Sequence, residues 1–232
     1  MTEPAIFFPT HLSGSELDVF LAKGWYRMGQ AIFTTHGIVQ QDQIFRVFWL
    51  RYSIQQLAAH KKSTQKILDK NAGFQTSILP LCITAEIEAL YAEYKADIDF
   101  DAATDVQQWL FDTKPNNVFE TYMVEVRDEG KLIAVGIFDK GKKTIAGIMN
   151  FYHPLYKKYS LGKYLMLVKI KYARENKIKW YYPGYIVAGY PKFDYKLFVD
   201  KLAAEIFLPE FNSWQVYDPV IIKKLTSYNT IL

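Results

Sequence analysis

The stretch from Thr144 to Ile186 constrains this chain more than any other. Thr144 to Tyr152 reads as a strand, a loop with a single glycine (Gly162) follows, and a long helix runs from about Leu161 to Asn176. Trp180 to Ile186 then reads as the next strand. Leu161, Tyr164, Leu165, Val168 and Tyr172 share one helix face, with Lys163, Arg174 and Lys177 roughly opposite. Met166, Leu167 and Ile170 make further sides apolar, which predicts a central, well-covered helix. A loop entering such a helix offers unpaired N–H groups and the positive end of a dipole to a phosphate or a carbonyl oxygen.

The preceding residues supply partners for these strands. Val118 to Arg127 and Leu132 to Asp139 read as strands joined by the turn Asp128-Glu-Gly-Lys. Lys140-Gly-Lys-Lys leads to Thr144, so residues 118–152 form an antiparallel meander. Upstream, Ile44 to Tyr52 and Phe74 to Leu79 read as strands. Ser63 to Lys70 reads as a short helix with Ser63 as its cap, and Thr84 caps another whose first turn is acidic. A second short helix covers about Ala103 to Leu110, ended by Lys114-Pro-Asn-Asn. Short strands near Glu205 to Leu208 and Trp214 to Tyr217 close the sheet. The expected class is α+β, a mixed and mostly antiparallel sheet flanked by helices. Residues 1–112 form a smaller N-terminal α+β part and 113–232 the core.

Half the residues are hydrophobic and 16% are aromatic, enough for a sizeable core. One cysteine, Cys82, rules out an intramolecular disulfide and is too few for a thiolate metal site or an iron–sulfur cluster. His36, His60 and His153 lack metal-ligand spacing. No apolar run approaches membrane-spanning length and no signal peptide is evident, so a soluble cytoplasmic protein is expected. The net charge of +4 is unevenly spread. Residues 151–200 hold ten Lys/Arg against three acids, whereas residues 84–112 hold eight acids against Lys95. A basic segment interleaved with tyrosines favours a polyanion, either RNA or a nucleotide phosphate.

Three stretches together resemble the arginyl-tRNA–protein transferase family, which includes bacterial leucyl-transferring relatives. Leu21-Ala-Lys-Gly-Trp-Tyr-Arg-Met-Gly29 is similar to the family's G-[WF]-R-R-x-G segment. Gly130 to Asp139 is followed by Asn150-Phe-Tyr-x-Pro and Ser160-Leu-Gly-x-Tyr164. Tyr181 to Lys196 is similar to Y-x-G-Y-x-I-x-x-x-x-K-M-x-Y-K. Weaker likeness covers Gln65 to Leu79 and Glu205 through Trp214. The resemblance implies a GNAT-like acyltransferase fold in which aminoacyl-tRNA replaces acyl-CoA. It implies transfer of arginine or leucine to the N-terminal amine of acceptor proteins, acidic ones above all, as in the N-end rule of protein degradation. No further cofactor is expected. The family's N-terminal cysteines, tied to an iron–sulfur cluster, have no counterpart between Phe33 and Gln41. Tyr26 stands where the first basic residue of the segment would be, and Asp194 departs from the pattern before Tyr195-Lys196.

Aminolysis of an activated ester needs positioning, amine deprotonation and oxyanion stabilisation rather than a nucleophile. Ser160, Leu161 and Gly162 are the candidates for phosphate or carbonyl contacts, with Asn150, Lys163 and Gly184 added by the resemblance. Lys192 and Lys196 flank Phe193 and Tyr195, a pattern suited to phosphates and a stacked base. Tyr152, Tyr164 and Tyr185 are candidates for a proton relay or ester orientation. Arg27, beside Trp25, is the candidate partner of an acidic acceptor residue. Two readings stay open beside this one. One is an acyl-CoA-dependent N-acyltransferase; the other is a non-catalytic RNA- or peptide-binding relative.

Overall fold

The computed structural model describes residues 4–40, 42–58, 61–100, 102–112 and 116–227. His60 and the expected breaker at Lys114-Pro115 lie outside the described residues.

The first forty residues bring strand β1 (Ala5–Phe7), helix α1 (Gly14–Ala22) and strands β2 (Tyr26–Met28), β3 (Ala31–Thr34) and β4 (Gly37–Gln40). Next come β5 (Gln43–Ser53), α2 (Lys62–Lys70), β6 (Gln75–Pro80), α3 (Ala85–Asp97) and α4 (Val106–Phe111). The second half supplies β7 (Thr121–Asp128), β8 (Lys131–Lys140), β9 (Thr144–Tyr152), α5 (Leu161–Glu175) and β10 (Trp180–Val187). It ends with β11 (Ala204–Leu208), β12 (Ser213–Val216) and α6 (Pro219–Ser227).

The meander is formed as expected: β7, β8 and β9 pair antiparallel in sequence order. They belong to a nine-stranded sheet of order β12-β11-β5-β10-β9-β8-β7-β6, with β4 added beside β5. One pair in it is parallel. The helical crossover α5 returns the chain so that β10 runs alongside β9, as a strand–helix–strand unit does. The two pair only over Trp180–Tyr182 and Thr144–Ala146. Gly184 to Val187 then continue on β5 alone, past an irregularity between Tyr181 and Gly184. The parallel strands part where their C-terminal ends meet the start of α5. This is the expected α+β layout, a mixed and mostly antiparallel sheet flanked by helices.

Alternation along the strands sorts the core onto two faces. Val124, Val126, Ile133 and Phe138 join the α5 side with Leu161, Leu165, Met166 and Ala173. Met123, Val135, Ile137 and Phe151 pack against Ile87, Leu90 and Leu110 of α3 and α4. Leu132 to Asp139 is consequently buried throughout. Each such Leu, Ile or Phe contributes about 1.5–3 kcal/mol of burial.

The N-terminal residues behave differently from the expected split at residue 112. β5 lies inside the large sheet between β11 and β10, and β6 forms its far edge. Only β1, β3 and β2 make a small sheet of their own. Ser63 does not cap α2: the cap position is Lys61, without a side-chain cap bond. Thr84 does cap α3, accepting from Ile87 N at 3.3 Å.

Candidate active site

The mouth where β9 and β10 part gathers part of the expected set and leaves part elsewhere. Its floor begins at the N-terminus of α5. A 3-10 segment, Pro154–Tyr159, runs straight into this helix, and Ser160 between them is left-handed (φ 56°, ψ 43°). Ser160 makes no side-chain cap bond, and its own N–H is taken by Lys157 O at 3.1 Å. Its carbonyl accepts from Lys163 N and Tyr164 N. The N–H groups of Leu161 and Gly162 therefore remain without an acceptor among the described residues, as first-turn amides do. Gly162 does not need glycine's conformational freedom. Its φ is ordinary, and a Cβ there would meet only Tyr152 Cε1 at 3.5 Å. Leu161 itself is a core residue, fully buried.

Gly184 is different: its φ of +101° permits the break in β10's pairing, and a Cβ there would meet Lys196 Cε at 3.5 Å. Lys196 lies in the 3-10 segment Pro191–Phe198 and is 9% exposed. Its Nζ faces the rings of Phe193 at 4.7 Å, Tyr195 at 4.8 Å and Tyr185 at 5.6 Å. Its backbone is held by Tyr52, whose hydroxyl donates to Lys196 O at 2.7 Å. No ion pair reaches this amine among the described residues. Burial pushes it down to about 7, with Asp194 opposing only in part.

Aromatic residues wall the mouth. Tyr185 meets Trp49 edge-on at 5.3 Å and Phe193 at 5.3 Å. Tyr152 and Tyr185 both lie close enough to Tyr195 to add to the raised pKa that burial gives its phenol. Tyr94 of α3 stands 5.6 Å from Tyr152, and burial pushes its hydroxyl up to about 12. Sequence reasoning missed Tyr94, because nothing in the acidic helix α3 signals which ring it turns toward the mouth.

Several expected contacts are already engaged elsewhere. Lys192 is bound to Asp99 at 2.9 Å and lies 4.3 Å over the Phe100 ring. Lys163 reaches over Phe198 at 5.5 Å. The Tyr164 hydroxyl pairs with Thr76 Oγ1 at 3.0 Å, away from the mouth. Asn150 borders the helix start, its Nδ2 3.5 Å from Gly162 O, while its Oδ1 accepts from Lys169 Nζ at 2.7 Å. His153 pairs with Glu93 at 2.8 Å and accepts from Leu155 N at Nδ1.

The acceptor-binding expectation for Arg27 is corrected. Its side chain is 1% exposed and paired with Asp139 at 2.8 Å, whose side chain is 0% exposed. It also donates to Thr121 Oγ1, Leu110 O and Gly29 O. A guanidinium with its donors spent in the interior does not bind an incoming residue. Trp25 likewise packs edge-on against Phe20 at 5.6 Å in the N-terminal apolar cluster. Tyr26, the departure from the family pattern, has a structural role. Its hydroxyl lies 2.7 Å from both Gly147 O and Tyr182 O, where β9 and β10 stop pairing.

Below the mouth sits a second buried amine. Lys169 is 0% exposed and donates to Ile137 O at 2.9 Å and to Asn150. Burial lowers it to about 7, with Asp139 opposing. Gly136 makes room: a Cβ there would approach Asn150 Oδ1 at 3.0 Å and Lys169 Cε at 3.2 Å. The signal in the sequence is a lysine four residues after Leu165 in a helix otherwise apolar on that side. Among the described residues no His, Cys, Asp and Glu side chains cluster as a metal cradle, and no helix is long and apolar enough to cross a membrane.

The family described as arginine-tRNA-protein transferase, C terminus, matches residues 86–202. An aspartate/glutamate leucyltransferase of Leptospira interrogans is 26% identical over 198 residues, 82% of this chain and 74% of that protein. Arginyl-tRNA–protein transferase 1 of Arabidopsis thaliana is 29% identical over 146 residues, 60% of this chain and 22% of that protein. Among solved structures, L-PGS of Bacillus licheniformis superposes with a TM-score of 0.48 at 10% identity, over 79% of this chain and 67% of that one.

Proposed function

The chain belongs to the arginine-tRNA–protein transferase family, enzymes that move an amino acid from charged tRNA to a protein N-terminus, and we propose that the mouth between β9 and β10 is where ester and amine meet. One observation carries this reading: the Lys196 amine is buried among three rings, has no counter-ion among the described residues, and sits near neutrality. A general base works best with a pKa close to the working pH. In the proposed reaction the acceptor's N-terminal nitrogen attacks the carbonyl carbon of the aminoacyl ester. Lys196, as the neutral amine, takes the proton that the nitrogen sheds. The carbonyl oxygen becomes an oxyanion facing the Leu161 and Gly162 N–H groups. Collapse reforms the carbonyl, breaks the bond to the ribose oxygen, and returns the proton from Lys196 to that oxygen. Lys196 thus replaces the phosphate contact expected from sequence, since a cation enclosed by rings is poorly placed for a solvated backbone.

Tyr152, Tyr185, Tyr195 and Tyr94 supply faces on which the terminal base of the tRNA stacks. The ester is already activated, so the reaction calls for no cofactor beyond aminoacyl-tRNA. Use of charged tRNA as donor supports a cytoplasmic location. Similarity to the Leptospira protein supports leucine as the transferred residue and aspartate or glutamate as the accepted terminus. The test is transfer of labelled leucine or arginine from charged tRNA to peptides that begin with Asp, Glu or Ala. Leucine on Asp and Glu peptides is the expected product. Arginine transfer would reverse the donor, transfer to Ala peptides would remove the acidic preference, and no transfer from either tRNA would sink the reading.

A further inference from the structure

Outside the mouth, the cations divide into neutralised and free sets. On the α3 side Lys157 pairs with Asp97 at 2.7 Å and Lys192 with Asp99 at 2.9 Å. On the α2 side Lys61, at the start of the helix, pairs with Asp200, but Lys62, Lys66 and Lys70 recur at i, i+4 and i+8 and are all exposed, one stripe of the helix. α5 packs beside α2 and carries half-buried Lys163 and exposed Lys171, with buried Leu167 between them. Among the described residues no carboxylate pairs with Lys62, Lys66, Lys70 or Lys163, and Lys171 meets only Glu175, at 3.9 Å. Asp69 is the acid on the α2 stripe, and it accepts from Gln65. Between the helices runs a cavity of about 120 Å³ lined by Leu68, Leu167, Ile170 and Val199, with Lys61 and Lys171 also bordering it.

This face leads to the mouth. Lys70 donates to Lys158 O, and Asn71 Nδ2 donates to Tyr159 O at 3.0 Å. The next residue, Ser160, opens α5. The Lys62–Lys70 and Lys163–Lys171 stripes each extend about 12 Å at 1.5 Å per residue.

We propose that the α2–α5 face is the track for the acceptor arm of tRNA, its lysines neutralising the phosphates that lead to the charged end in the mouth. This rests on the reading of the mouth as the aminoacyl-transfer site. The acidic side of the mouth, with its lysines already paired, is left for the acceptor protein.

The experiment compares wild type with Lys62→Ala/Lys66→Ala, Lys62→Glu/Lys66→Glu and Lys192→Ala. Thermal unfolding should be alike in all four, since these side chains are at the surface. Binding of uncharged tRNA is measured from low to high salt, and KM is measured separately for charged tRNA and for peptide. The double alanine variant should flatten the log Kd against log salt slope by about 1.4–1.8, the loss of two phosphate contacts. The double glutamate variant should weaken tRNA binding at least about tenfold at low salt, with peptide KM and kcat at saturating tRNA unchanged. Lys192→Ala should stay near wild type. If the double glutamate variant keeps the wild-type Kd and slope while the enzyme transfers normally, the surface assignment falls and the functional reading stands. Loss of binding to anionic phospholipid vesicles with unchanged tRNA affinity would also overturn it, in favour of a lipid surface. A wild type that neither binds tRNA nor transfers would remove both.

Discussion

Lys169 and Lys196 are both buried amines pushed down to about 7, but their surroundings are opposites. Beneath the meander, Lys169 donates to Ile137 O and Asn150 Oδ1, and its neighbour Asp139 is held by Arg27 and Thr121. At the mouth, Lys196 has only ring faces around its nitrogen and no carboxylate partner among the described residues. In the first region the Lys169 amine has spent its donors on the fold, and Asp139 accepts through Oδ1 alone. The second has capacity left for something that arrives. A buried titratable group is thus informative less by its pKa than by whether its donors are already used.

The largest effect that sharpens this contrast is expected at Lys196. Lys196→Arg keeps a cation that stays protonated, and so should lower kcat by about 10²–10⁴-fold, the range for loss of a general base. In wild type the active form is the neutral amine, so kcat should rise with pH through about 7 and level off above it. An arginine variant with wild-type kcat would show that charge, not proton transfer, is what the position supplies.

Next comes the spent region. Arg27→Met leaves Asp139 buried without its cation, and should cost about 3–5 kcal/mol in denaturant unfolding. Replacing Asp139 by leucine in the same protein should recover much of that loss, because a well-packed apolar pair tolerates burial better than an orphaned charge. If Arg27→Met unfolds like wild type but raises KM for peptide, the comparison between the two regions breaks, and Arg27 returns to acceptor binding.

The smallest effect is expected at Gly162. Its ordinary φ and the 3.5 Å clearance to Tyr152 predict that Gly162→Ala folds with stability equal to wild type or up to about 1 kcal/mol higher. A methyl there should alter transfer only about twofold, within roughly 0.5 kcal/mol. A loss above tenfold in a fully folded variant would show that substrate also packs against the Gly162 Cα, not only its N–H, and so tighten the boundary of the mouth.

Local sequence signals determined much of this protein. The meander, the cap at Thr84, the extent of α5 and the strand from Trp180 follow from turn residues, cap chemistry and periodicity, which act between neighbours in the chain. The same run of motifs identified Tyr152, Gly184, Tyr185, Tyr195 and Lys196, residues that the fold gathers around one opening. What the sequence left undecided depends on distant partners. Arg27 looked available because Asp139, which occupies it, is 112 residues away. Lys192 looked free because Asp99 lies across the mouth, 93 residues earlier in the chain. Lys196 and Lys192 are alike in sequence, four residues apart in one aromatic segment. The turn of that segment sends one amine inward among rings and the other outward to a carboxylate. Burial and pairing, not residue type, separate a base from a surface cation, and both are properties of the tertiary structure.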